Sequence, residues 1–146
     1  EAAGELVAAQ RTRLEAVVPD TRELDALWYS SGSQTPYVGA GTGVPQMILE
    51  AAGLSNIAAD VADSWTSISW EEVVARDPDV IVLVDSAWNT AENKKQVLAE
   101  NPATSALDAV REGRYLVVPF PATEAGVRNV AAVESLVAQL TELALD

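Results

Sequence analysis

Two rhythms of hydrophobic residues alternate along this chain. Ala3, Leu6, Val7, Leu14, Val17 and Val18 recur at close to helical spacing until Pro19-Asp20, which predicts a first helix over residues 3–18. Leu24 to Ser30 is shorter and carries Leu27-Trp28-Tyr29, a strand ending near Tyr29 or Ser30 before a polar loop from Ser31 to Tyr37. Val44 to Ala52 reads as a helix with Pro45 in its first turn and Gly53 as its C-terminal stop. Asn56-Ile57-Ala58 predicts a short strand. The most explicit stretch runs from Ile68 to Trp88. Ser69 followed by Glu72 is a capping box, in which the hydroxyl takes a backbone N–H and the carboxylate reaches back, with Ile68 and Val73 at the staple positions. Pro78 pushes Asp77 out of the helical region and ends that helix. Val80-Ile81-Val82-Leu83-Val84 is then an unbroken apolar run of strand length, suited to a strand covered on both faces. Thr90–Leu98 and Pro102–Glu112 predict further helices, the second capped by Asn101 and ended by Gly113. Tyr115 to Val118 predicts another strand. After a turn at Pro119 to Thr123, Val130, Val133, Val137, Leu140 and Ala144 give a last helix one apolar face. Strands alternating with helices predict an α/β fold: a layered domain with a mainly parallel central sheet flanked by helices. No internal repeat or interdomain linker interrupts residues 1–146, so a single domain is expected.

Composition narrows the function classes. The formal net charge of −13 disfavours nucleic acid, whose phosphates such a surface repels. No apolar run approaches the roughly 18 residues of a membrane span. The absence of cysteine excludes disulfides and thiol chemistry, and the absence of histidine removes the usual proton shuttle and the commonest metal ligand. No nucleophile and base pair stands out, so no catalytic residue, metal site or cofactor is assigned and a non-enzyme is expected. The chain opens at Glu1 inside a helical pattern, as a piece of a longer protein would.

Ligands of open α/β sheets gather outside the carboxyl ends of the strands, which makes Asp85 to Asn89 the first place to look for a site. Gly39-Ala40-Gly41-Thr42-Gly43 precedes a helix, but its third glycine is one residue early for a dinucleotide fingerprint and no phosphate-loop lysine follows. A flexible turn that starts a helix is the simpler reading; N–H groups touching a ligand oxygen are the other. Arg128 stands in the first turns of the last helix, where a cation opposes the helix dipole by about 0.3–1 kcal/mol. Either Glu124 or an anionic ligand compensates it. The remaining basic residues, Lys94 and Lys95 among them, occupy positions expected to be solvated. Trp65 and Trp88, flanked by Ser64, Thr66, Asn89 and Thr90, divide evenly between core and the wall of a pocket.

Four ordered blocks carry a resemblance: YVGAGTGVPQMILEAAGLSNI, SWTSISWEEVVARDPDVIVLVDSAW, SALDAVREGRYLVVPF and EAGVRNV. Together they resemble the C-terminal half of the iron-chelate substrate-binding proteins of ABC importers, whose two lobes are joined by one long helix and which carry ferric siderophores, ferric citrate, haem or cobalamin. The resemblance covers nearly the whole chain and is strongest to the ferric-siderophore type of Gram-positive actinobacteria. It implies that residues 1–146 are a single C-terminal lobe, with residues 1–18 as the interlobe helix and the N-terminal lobe lying outside this chain. It further implies an extracytoplasmic, cell-surface lipoprotein (or a periplasmic protein), attached to the membrane only through a lipid anchor on that N-terminal part. Its partners would be an ABC permease and a small iron chelate.

Residue by residue, the glutamate of the Ser69-Trp70-Glu71 element matches the family's permease-docking carboxylate, while Glu72 belongs to the cap. The loops after strands build the ligand cleft in the family, which puts Tyr29, Tyr37, Thr42, Trp65, Trp88, Thr123 and Arg128 on the ligand side. The lack of histidine disfavours haem and leaves Tyr29 or Tyr37 as the candidates for an iron ligand. Two other classes stay open: a nucleotide- or sugar-phosphate-binding α/β enzyme domain using the glycine loop and Asp85, and an acidic interaction module.

Overall fold

The computed structural model describes residues 24–32, 34–86, 90–119 and 128–143. The expected helix over residues 3–18 lies outside them. The strands are β1 (Asp25–Ser31), β2 (Tyr37–Gly39), β3 (Ser55–Asn56), β4 (Trp65–Ser67), β5 (Val80–Asp85) and β6 (Tyr115–Pro119). The helices are α1 (Val44–Ala51), α2 (Trp70–Arg76), α3 (Ala91–Glu100), α4 (Asp108–Arg111) and α5 (Arg128–Glu142).

The sheet order is β4-β2-β1-β5-β6. β5 lies between β1 and β6 and is parallel to both. On the other side of β1, β3 pairs in parallel with its first residues and β2 antiparallel with its last, across a bulge between Tyr29 and Ser31. The sheet is thus mainly parallel, as the alternation of elements predicts.

The period-two alternation of β5 divides the core into two layers. Val80, Val82 and Val84 face one layer with Trp28, Ile48 and Leu49 of α1, and Val133, Leu136 and Leu140 of α5. Ile81 and Leu83 face the other with Tyr29, Trp70 and Val73 of α2, and Leu98 of α3. Residues 80–84 are buried throughout, because helices cover both faces of this strand.

Three local expectations change. Tyr37, expected at the end of a loop, opens the antiparallel strand Tyr37–Gly39, which pairs with β1 and with a further strand at Trp65–Ser67 that carried no signal in the sequence. The helix expected over Pro102–Glu112 breaks at Leu107, which adopts an extended conformation and buries its side chain between a 3₁₀ turn (Thr104–Ala106) and α4. Asn101 does cap that turn, its Oδ1 accepting from the Ala103 N–H at 2.8 Å. Only half of the capping box forms: the Glu72 N–H donates to Ser69 Oγ at 3.0 Å, but the Glu72 carboxylate accepts from Arg76 Nε at 2.8 Å. Arg76 also donates to the Ile57 carbonyl and to Asp60, tying the end of α2 to the segment after β3.

The outer edge of β6 is sealed. The Tyr115 N–H donates to the Gly113 carbonyl at 2.9 Å, and Pro119 has no N–H. Between them the Gln139 side chain acts as a one-residue strand: its Oε1 accepts from the Val117 N–H at 2.8 Å and its Nε2 donates to the Val117 carbonyl at 2.9 Å. An edge with its donors satisfied offers little to another chain.

Candidate functional site

β1, β5 and β6 are parallel, so their carboxyl ends share one edge of the sheet. At the end of β5, Asp85 spans the gap to α3, its Oδ1 accepting from the Ala91 N–H at 2.8 Å. Thr90 caps the same helix by accepting from the Asn93 N–H at 3.1 Å. Both polar groups are thereby engaged in starting α3, a structural use of the first residue singled out in that loop.

Lys94 was expected to be solvated and is not. It is 1% exposed, on the stripe Ala91, Lys94 and Leu98 that α3 turns inward. Burial pushes its ammonium below its ordinary pKa, and the negative charge of Asp85 offsets part of that. The spacing i, i+3, i+7 from Ala91 to Leu98 is the sequence signal that reveals it.

Three N–H groups of the glycine-rich segment are spent inside the chain. Those of Ala40, Gly41 and Thr42 donate to the carbonyls of Ser64, Val61 and Asp63 at 2.9, 3.0 and 3.1 Å. Close approach explains the glycines: a Cβ on Gly41 would collide with the Ala59 and Val61 carbonyls, and one on Gly43 would lie 2.7 Å from the Ser64 Cβ. These N–H groups are therefore not offered to a ligand oxygen. Asn56, 6% exposed, locks the segment from beneath. Its Nδ2 donates to the carbonyls of Gly39 (3.0 Å) and Ala40 (3.3 Å), and its Oδ1 accepts from the Ala58 N–H (2.9 Å). Its role was not foreseen from its neighbours in sequence, because its partners on the Gly39 side are far along the chain.

What this frame presents is a pair of aromatic rings. Tyr37 stacks on Trp65 with centroids 5.7 Å apart and planes 13° from parallel. Tyr37 is 41% exposed, and Trp65 is half-buried against the layer that contains Trp28 and α1. β2 and β4 bring them together: Tyr37 pairs with Ser31 at the carboxyl end of β1 and with Ser67 on β4, while Gly39 pairs with Trp65. A stacked pair with one ring exposed is a flat, apolar surface of the kind that lines ligand pockets. Thr42 is also exposed, just before α1.

The other residues on the ligand side fall apart. Tyr29 is a correction: it is 1% exposed, packs edge-on against Trp70 at 5.3 Å and 82°, and donates its hydroxyl hydrogen to the Gly32 carbonyl at 2.6 Å. Its burial pushes the phenol pKa up to about 12. It is a core residue at the end of β1 and neither a pocket wall nor an accessible iron ligand. Arg128 is the first residue of α5. Trp88 and Thr123 lie outside the described residues. Glu71 is exposed in the first turn of α2, where an acid also suits the helix dipole. Among the described residues no cluster of three or more acidic side chains is arranged to hold a metal ion, and no helix is long and apolar enough to cross a membrane.

Sheet and layers define an α/β fold with a mostly parallel sheet flanked by helices. The chain belongs to the periplasmic binding protein family, whose model matches residues 1–122. Among solved structures it is similar to a periplasmic binding protein from Veillonella parvula, with 28% identity and a TM-score of 0.84, covering 98% of this chain and 51% of that one. It is similar to an ABC-type Fe3+-hydroxamate transport system from Saccharomonospora viridis, with 28% identity and a TM-score of 0.81, covering 94% and 49%. An ABC transporter substrate-binding protein from Listeria monocytogenes shares the fold at 17% identity, with a TM-score of 0.82, covering 97% and 57%. The chain thus spans about half the length of the structures it matches. No curated protein matches it.

Proposed function

We propose that this chain is the C-terminal lobe of an extracytoplasmic substrate-binding protein that captures a ferric siderophore or a related iron chelate and delivers it to an ABC permease. The observation that carries the reading is the likeness to the Fe3+-hydroxamate transport protein, which extends over 94% of this chain and 49% of that one. Residues 1–18 would form the interlobe helix, and a lipid anchor would lie on the N-terminal part. The protein is a carrier and not an enzyme.

In this reading the Tyr37–Trp65 stack is one wall of the cleft, and Thr42, Trp88, Thr123 and Arg128 are assigned to the ligand side by the family resemblance. The stack gives a chelate with apolar arms a surface to lie on. A lone wall makes only half of the contacts, so useful affinity needs both lobes. Glu71 is the docking carboxylate, held by a helix whose N-terminus Ser69 caps and whose C-terminus Arg76 ties down.

Tryptophan fluorescence of the full two-lobe protein, titrated with ferric citrate, a ferric trihydroxamate, a ferric tricatecholate and haem, tests the assignment. Saturable binding of one ferric chelate that weakens in Trp65→Ala supports it. Failure of all four to bind, or equal binding by Trp65→Ala, refutes the assignment of this wall.

A further inference from the structure

The ligand wall and the docking residue share one short segment. Trp65 opens β4, Ile68 and Ser69 follow, and Trp70 and Glu71 begin α2. Ile68 donates its N–H to the Pro36 carbonyl at 3.3 Å, next to Tyr37. The edge-on contact of Trp70 with Tyr29, rings 5.3 Å apart, anchors the segment from below. Tyr29 in turn grips the loop on the other side of the wall through its hydrogen bond to the Gly32 carbonyl, at 2.6 Å. Tyr29 therefore reaches the backbone that leads to Tyr37 and, through Trp70, the backbone that carries Glu71. Trp70 is 4% exposed while the next residue, Glu71, is exposed, so the step from core anchor to surface carboxylate takes a single residue.

We propose that Tyr29 and Trp70 are positioning residues, a buried brace that holds the Glu71 carboxylate at a fixed place relative to the Tyr37–Trp65 wall; this rests on the docking role given to Glu71 above. A carboxylate pre-placed on a rigid turn loses less freedom when an arginine of the permease meets it, and a bound chelate is presented in constant register with the transport path. Ordinary core packing would make the same ring contact but would not couple it to Glu71.

A double-mutant cycle in the full two-lobe protein separates the two. Affinity for the permease in lipid nanodiscs is measured with no chelate added, alongside circular dichroism. Trp70→Leu, which removes the ring contact, is expected to weaken docking about three- to tenfold, with Trp70→Phe restoring most of it. In the Glu71→Gln background Trp70→Leu is expected to cost nothing further. Tyr29→Leu removes the same contact from the strand side and must show the same non-additivity, which keeps the test open where Trp70→Leu does not fold. Fully additive losses would overturn the brace and leave the docking role standing. Unchanged docking by Glu71→Gln would overturn the docking role and the brace with it.

Discussion

Replacing Asn56 tests how the glycine segment is held. Asn56→Ala removes the two hydrogen bonds to the Gly39 and Ala40 carbonyls and leaves the buried Ala58 N–H without its acceptor. At about 1 kcal/mol per bond, with the 3.3 Å bond to Ala40 the weakest, the cost is about 2–4 kcal/mol. That is a large part of the roughly 5–15 kcal/mol by which a domain of this kind is stable. Asn56→Asp is the sharper change. It keeps the acceptor for Ala58 but sets a carboxylate against two carbonyl oxygens in a buried place, so the introduced acid should titrate above its ordinary value. A folded pKa above the unfolded one means that the folded state holds the extra proton. The penalty is then absent below the unfolded pKa and fully present above the folded one. Stability relative to wild type should therefore fall as pH rises from about 4 to about 7. Urea denaturation at both ends of that range reads it as a shift in midpoint at constant slope. A loss under about 1 kcal/mol for Asn56→Ala, or an Asn56→Asp variant indifferent to pH, would refute the locking role.

Three further outcomes are expected. Tyr29, whose pKa is pushed up to about 12, favours the neutral phenol when folded. Its contribution to stability is complete below the ordinary pKa and is lost as pH rises toward that value, a phase that Tyr29→Phe should abolish in alkaline unfolding followed by tyrosinate absorbance. Ser69→Ala should lose about 1 kcal/mol in thermal or urea unfolding as its cap to the Glu72 N–H disappears, whereas Glu71→Ala should stay within about 0.5 kcal/mol of wild type. Gln139→Leu strips the cover from Val117 on the β6 edge, so concentration-dependent association should rise in light scattering; a strictly monomeric variant would show that the edge is blocked by other means.

The elements that were legible in the sequence are those whose physics is local. Ser69 and Pro78 bound α2 because a cap and a proline act within a few residues. Pro45 sits in the first turn of α1, and Gly53, past its end, takes the positive φ that glycine tolerates. The run from Val80 to Val84 announced a strand covered on both faces, since only helices on either side can use five consecutive apolar side chains. The α/β class and the family followed from these and from the order of the blocks. Tertiary structure decided what depends on partners distant along the chain. Tyr37–Gly39 and Trp65–Ser67 are too short to carry a periodic signal, and they are strands because they pair with β1 and with each other. That pairing stacks Tyr37 on Trp65, while one strand away Tyr29, an equally plausible aromatic, falls on the face of β1 that it shares with Leu27 and is covered there by Trp70. Lys94 is buried because α3 lies against the sheet on the side of the helix where that residue falls. The asparagine of the Ala-Gly-x-x-Asn-Ile block shows the division most plainly. Its presence was visible in the chain, but the carbonyls it binds, those of Gly39 and Ala40, come within reach only once β3 has docked beside β1.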